Sequence, residues 1–227
     1  MNIRHLLITL LATCCANLLH AQTADQAESR PLQGKVIHVI GDSYVRNHRR
    51  PFAEAWHYKV ATRLGMTYNN YGRNGGCIAF DRSREGFGKS ILQRYHEMSD
   101  TADYVLVIAG HNDADKIKGS KDSLQMLRDS LDALCQGLIQ KFPRAKIAFV
   151  TPWNVPRPGF PEVIRTIHEV CALHSIPVLD AAATSGIHVR NEQFRRIYFQ
   201  APNDTAHLND AGHDLLLRWG EQFILSL

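Results

Sequence analysis

Five short runs rich in β-branched and aromatic residues follow one another from Lys35 onward, each separated from the next by a longer stretch. They are Lys35–Ile40, Thr67–Tyr71, Tyr104–Ala109, Lys146–Val150 and Pro177–Asp180. Most are near-continuously apolar and do not alternate, which is the pattern of parallel strands covered on both faces. The stretches between them carry helical periodicity. Phe52, Trp56, Val60 and Leu64 form an i, i+4 stripe ended by Gly65, and Leu124, Leu127, Leu131, Leu134 and Leu138 form a longer one. Pro161 opens a segment bearing Val163, Ile164, Ile167, Val170 and Cys171. Leu215, Leu216, Trp219, Phe223 and Ile224 predict a final helix, capped by Asn209 or Asp210. Strands alternating with helices predict an α/β fold, a three-layer α/β/α sandwich around a five-stranded parallel sheet with right-handed crossovers. Sites in such sheets gather at the carboxyl ends of the strands.

Composition narrows the rest. With 44% hydrophobic and 21% charged residues over 227 positions, the chain is neither coiled coil nor disordered, and it can bury one substantial core. A formal charge of +4 is too small to argue for a nucleic-acid partner. The N-terminus reads as a secretory signal: a basic start at Arg4, an apolar run from Leu6 to Leu19, and Ala21 as a small residue for cleavage. That apolar run is short for a membrane span, so no stable insertion is expected. Cys14, after Leu11-Ala12-Thr13, loosely resembles a lipoprotein anchor site, as does Cys15 beside it, but Thr13 fits that pattern poorly. The expected organisation is a signal peptide at 1–21, a flexible segment at 22–33 and a folded domain at 34–227, exported to the periplasm or the exterior. Cys77, Cys135 and Cys171 are odd in number and contain no Cys-x-x-Cys pair, so they point to neither a disulfide framework nor zinc, and the sequence leaves open a single disulfide between some pair of them.

Four polar or glycine-rich blocks stand at strand ends or before the last helix. They are Gly41-Asp42-Ser43, Asn70-Tyr71-Gly72-Arg73-Asn74-Gly75-Gly76, Gly110-His111-Asn112-Asp113 and Asp204-Thr205-Ala206-His207. Together they supply what acyl transfer requires. A serine hydroxyl becomes a nucleophile when a neighbouring base takes its proton, and His207 is the natural base for Ser43. Asp204, three residues earlier, can hold the other imidazole nitrogen. The N–H groups of Ser43 and Gly75 and the Asn112 amide can hold the oxyanion of a tetrahedral intermediate. Each block alone is weak: Gly-Asp-Ser arises by chance in about 5% of chains this long. Their joint occurrence in this order carries the inference.

The four blocks resemble those of the SGNH hydrolase superfamily, the GDSL-type esterases and lipases, over about Lys35 to Leu225. The match runs through Gly41-Asp42-Ser43, Asn70-x-Gly72-x-x-Gly75, Gly110-x-Asn112-Asp113 and Asp204-x-x-His207, with Tyr44 standing where the family usually has an aliphatic residue. The resemblance implies a flavodoxin-like sandwich that hydrolyses esters or thioesters, with no metal and no cofactor. The expected activity is an exported serine esterase acting on an acetylated carbohydrate or another short-acyl ester. The alternatives are a lysophospholipase or thioesterase of the same family, or a catalytically silent glycan-binding module. The sequence leaves the oligomeric state open.

Further residues bear on substrate. His111 sits beside Asn112 and is a candidate pocket residue, with simple loop exposure as its bland reading. Trp153 after the fourth run is another, its ring suiting a sugar or acyl chain, with core packing under a proline-rich loop as the alternative. Arg46, with His48, Arg49 and Arg50, forms a basic cluster just past Ser43; a solvated surface is its bland reading, and an acidic substrate its functional one. Gly86-Phe87-Gly88-Lys89-Ser90 ends like a phosphate-binding loop, but Ser83 stands where that motif needs glycine.

Overall fold

Strands with no polar interruption must be covered on both faces, and the chain arranges its helices accordingly. The computed structural model describes residues 30–227, with a compact unit running from Leu32 to Leu227. The expected signal peptide at 1–21, Cys14 and Cys15, and most of the 22–33 segment lie outside the described residues. Leu32 already belongs to the folded body: its N–H donates to the Leu64 carbonyl at 3.1 Å and its side chain packs on the core.

The elements run β1 (Val36–Gly41), α1 (Ser43–Arg46), α2 (Trp56–Arg63), β2 (Thr67–Gly72), α3 (Ile91–Arg94), β3 (Tyr104–Ile108), α4 (Asp113–Ile117), α5 (Lys121–Lys141) and β4 (Lys146–Val150). Then come α6 (Phe160–Leu173), β5 (Val178–Leu179), α7 (Ala181–Thr184), α8 (Glu192–Tyr198), α9 (Asp210–Asp214) and α10 (Leu217–Ser226). The sheet has the order β2-β1-β3-β4-β5, with every pair parallel. The chain moves one way from β1 to β2 and the other way from β2 onward. Right-handed crossovers then place α2 on one face and α3, α5 and α6 on the other. Helix α10 packs on α2, and α6 packs on α5, which completes the three layers. Strands β1 and β3 are buried almost throughout, whereas β2 and β5, at the edges, are half-buried.

Two predicted helices differ from their stripes. Phe52 stands outside α2 in a separate 3-10 turn and is 39% exposed, because Ala55 is extended and α2 starts only at Trp56. The last helix is broken in two. Asn209 caps α9 by accepting from the Gly212 N–H at 2.9 Å, and α10 restarts at Leu217. That restart lets Gly220 lie against the Trp56 ring, where a Cβ would come within 2.3 Å. The last strand is shorter than its run, since Asp180 is used as the side-chain cap of α7.

Candidate active site

Reversal of the winding direction between β1 and β3 opens a crevice at their carboxyl ends, the place where open α/β sheets bind ligands. Ser43 leaves β1 into this crevice, and Asn112 enters it from β3. Asp42 shapes the first turn: its buried carboxylate accepts from the Tyr44 N–H at 2.8 Å, capping α1 and placing Ser43 at its first position. Gly72 permits this turn, since a Cβ there would lie 2.4 Å from the Arg46 nitrogen. Beneath it, the buried Arg94 guanidinium donates to the carbonyls of Gly41 and Tyr71, closing the ends of β1 and β2. Burial lowers Arg94 to about 10.

The loop between α8 and α9 brings His207 to Ser43 across 164 residues, with Nε2 2.9 Å from Ser43 Oγ. Asp204 Oδ2 lies 2.9 Å from His207 Nδ1, while its Oδ1 accepts the N–H groups of Ala206 and His207 at 2.8 and 3.0 Å. Burial pushes the Asp204 carboxyl up, but the hydrogen bonds from the His207 ring and the Ala206 N–H outweigh it and hold it below its ordinary value. An ionised acceptor at Nδ1 leaves Nε2 free to accept the serine proton.

Gly75 adopts a φ of +71°, and a Cβ added there would lie 2.2 Å from the Phe87 ring, so only glycine fits between that ring and the crevice. The N–H groups of Ser43 and Gly75 have no hydrogen-bond partner among the described residues. The Asn112 amide donates to the Gly76 carbonyl at 2.9 Å and reaches Asp42 Oδ2 only at 3.4 Å. Ser43, Gly75, Asn112, Asp204 and His207 all line one cleft of about 390 Å³.

His111 also lines this cleft, but with only 4% of its surface exposed, and its Nδ1 is engaged with the Tyr44 hydroxyl at 3.0 Å. Burial, aided by the Arg157 charge, lowers it to about 3, so the ring is neutral. Trp153 offers no open face. It is 3% exposed, lies 4.1 Å from the Tyr44 ring centroid, and donates its indole N–H to the Thr205 carbonyl at 3.2 Å. Its place is support under the Asp204–His207 turn, because a ring this large gains most from burial with its N–H satisfied. Arg46, at the exposed end of α1, does not line the cleft; the turn of α1 directs it to solvent.

Three groups around the site carry no recognisable motif. His48 stacks on His207, with ring centroids 4.2 Å apart and planes 14° from parallel. Asn47 and His48 both take positive φ, 64° and 42°, and this turn is pinned by Asn47 to the Pro51 carbonyl and to His213. Arg82 and Phe87 come from the segment containing the phosphate-loop lookalike. Arg82 donates to the Gly75 carbonyl at 2.7 Å and lies over the Phe87 ring. The signal available for this segment is its pair of glycines, Gly86 and Gly88, both at positive φ. Among the described residues no three His, Cys, Asp or Glu side chains are grouped to hold a metal ion.

Comparison with known proteins bears on the family and the fold. The sequence profile of the GDSL-like Lipase/Acylhydrolase family matches residues 39–215. No curated protein matches the chain in sequence. Among solved structures, a protein from Lactobacillus plantarum superposes with a TM-score of 0.72 at 20% identity, over 86% of this chain and 98% of that one. An acetyl xylan esterase superposes with a TM-score of 0.60 at 14% identity, over 85% and 100%. A psychrotrophic esterase from Pseudoalteromonas, in a structure inhibited by monoethylphosphonate, gives 0.58 at 16%, over 85% and 97%. At these identities the likeness is one of fold, the α/β sandwich with strand order 2-1-3-4-5.

Proposed function

Since the chain belongs to the GDSL-like lipase/acylhydrolase family, we propose that it is an exported serine esterase hydrolysing short-acyl esters, with acetylated carbohydrate as the favoured class. The observation that carries this reading is the unbroken relay from Ser43 Oγ through His207 to Asp204, with both links at 2.9 Å. Ser43 attacks the acyl carbonyl as His207 Nε2 takes its proton, and Asp204 holds the ring and stabilises the resulting imidazolium. The Ser43 and Gly75 N–H groups and the Asn112 amide face the developing oxyanion, where preorganised donors contribute most. His207 then protonates the leaving alcohol, and a water activated by the same nitrogen releases the acid from the acyl-enzyme. Phe87, lying against Gly75, supports a short acyl group. The N-terminal apolar run supports export, and the acetyl xylan esterase of like fold supports a carbohydrate ester.

Hydrolysis of p-nitrophenyl acetate that persists in EDTA, together with covalent labelling of Ser43 by a fluorophosphonate, is the expected result. An intact protein that binds glycans yet resists labelling would replace the esterase with a silent binding module.

A further inference from the structure

His207 forms part of the wall of two cavities. One is the cleft containing Ser43; the other, of about 520 Å³, adjoins it and shares His48, Asn203, Asp204 and His207. The volume lies within the range of small-ligand sites. Because His207 must hand its proton to the leaving alcohol, the alcohol oxygen sits at this shared wall. The shared imidazole wall puts the second cavity next to whatever is attached to that oxygen.

The two cavities differ in charge. In the Ser43 cleft the cations are already balanced: Arg157 pairs with Asp115 at 2.8 Å, and Arg82 with Glu85 at 2.8 Å. In the second cavity Arg50 is balanced by Glu54, and Asp204 is committed to His207 and two backbone N–H groups. Arg49, exposed at its rim, has neither an ion pair nor a hydrogen bond among the described residues. Arg49 is therefore the one guanidinium of this cavity without an ion-pair partner of its own among the described residues, and Gln200 and Asn203 line the same cavity as neutral hydrogen-bonding groups. A guanidinium with its donors unengaged in a concave site attracts an anion, and its fork fits a carboxylate. A single positive charge also balances a carboxylate better than a phosphate monoester, which carries nearly two negative charges. Amide side chains suit sugar hydroxyls.

Building on the esterase reading above, we propose that the second cavity holds the alcohol side of the ester and selects a sugar carrying a carboxylate, which pairs with Arg49. The substrate class is then an O-acylated uronic acid or an oligosaccharide containing one.

The test compares two methyl glycosides acetylated at the same hydroxyl, one of glucuronic acid and one of glucose. The ratio of their kcat/KM values removes any general change in activity. The wild-type enzyme is expected to favour the uronate about tenfold at low salt, the scale of one charge-assisted hydrogen bond, and to lose much of that preference in high salt. Arg49→Gln should bring the ratio close to one, and Arg49→Lys should retain part of it. A wild-type ratio near one, or a preference that survives Arg49→Gln, overturns the proposal. Preference for an acetylated sugar phosphate over the uronate overturns the carboxylate assignment. Hydrolysis of p-nitrophenyl acetate with no uronate preference removes this inference alone. Failure to hydrolyse any of these esters removes the esterase reading and this one with it.

Discussion

The two ends of the sheet differ in how much charge they bury. At the amino ends of the strands, Lys35 pairs with Asp103 at 2.9 Å and Lys141 pairs with Asp100, in ion pairs with at least one partner open to water. Such pairs add little to stability. At the carboxyl ends, Asp42, Asp113, Arg94 and His111 are almost completely buried. Burial raises Asp42 to about 7 and Asp113 to about 6, and lowers His111 to about 3. Polar groups held in such surroundings are costly unless hydrogen-bonded, so this end sacrifices stability to hold a particular geometry. Toward the amino ends the comparable case is His38, buried against Ser99. The buried carboxylates also differ from Asp204, which keeps partial solvent access and an imidazole partner and stays ionised.

The sharpest break of this contrast is Ser43→Ala. Hydrolysis of p-nitrophenyl acetate should fall by on the order of 10³-fold or more, while the urea midpoint barely moves, since Ser43 Oγ bonds only to His207. Activity that survives would dissociate the crevice from the chemistry assigned to it. Asp113→Ala comes next. Its carboxylate accepts the N–H groups of Ile78 and Ala79 at 2.9 to 3.1 Å, and removing it strands both donors. A loss of about 3 kcal/mol in urea unfolding is expected, with Asp113→Asn losing less because one oxygen remains. A loss no larger than that of a surface substitution would show that the contrast between the ends is empty.

Acidification gives a smaller effect. Burial lowers His57 to about 4 and lowers both His111 and His213 to about 3. Their unfolded values lie near 6.5, so between there and about pH 4 the unfolded chain binds protons that the fold refuses, and stability falls as pH falls. Asp42 and Asp113 act the other way: raised in the fold, they contribute stability at low pH that is lost as pH rises through about 6 to 7. Three imidazoles outweigh two carboxyls, for a net loss on the order of 2 kcal/mol between pH 6.5 and 4.5, and His38, also lowered by burial, adds to it. Urea midpoints across that range check the sign, and stability that rises on acidification would reverse the balance. The smallest effect is expected at the opposite end. Lys35→Ala should leave the urea midpoint within error, because Asp103 keeps its bond from the Val36 N–H.

Periodicity and local motifs reveal what lies within a few residues, and in this chain that was much of the fold. Each of the five runs falls on a strand. Strands β1 and β3, buried almost throughout, show themselves in their apolar composition, whereas β2 and β5, half-buried at the edges, are marked by β-branched and aromatic residues and by spacing. The blocks around Ser43, Gly75, Asn112 and Asp204–His207 were visible for a similar reason: each is a short loop bound to a strand or helix end. Packing between distant segments was not visible. Nothing near Arg94 announces a buried guanidinium tying β1 to β2, and nothing near His48 shows that it will lie on a ring more than 150 residues away. Local pattern leaves Trp153 between a pocket face and core packing; the core reading holds because its burial depends on Tyr44 and the 204–207 turn. The basic cluster divided for a geometric reason: α1 ends at Arg46 and points it outward, and the left-handed turn at Asn47 swings His48 and Arg49 back toward His207.

The brevity of β5 has a consequence of its own. Only Val178 and Leu179 pair there, so that margin of the sheet presents too few free amides and carbonyls to recruit a neighbour's backbone. The molecule is thereby protected from growing into ribbons at high concentration, without a guard helix for the purpose.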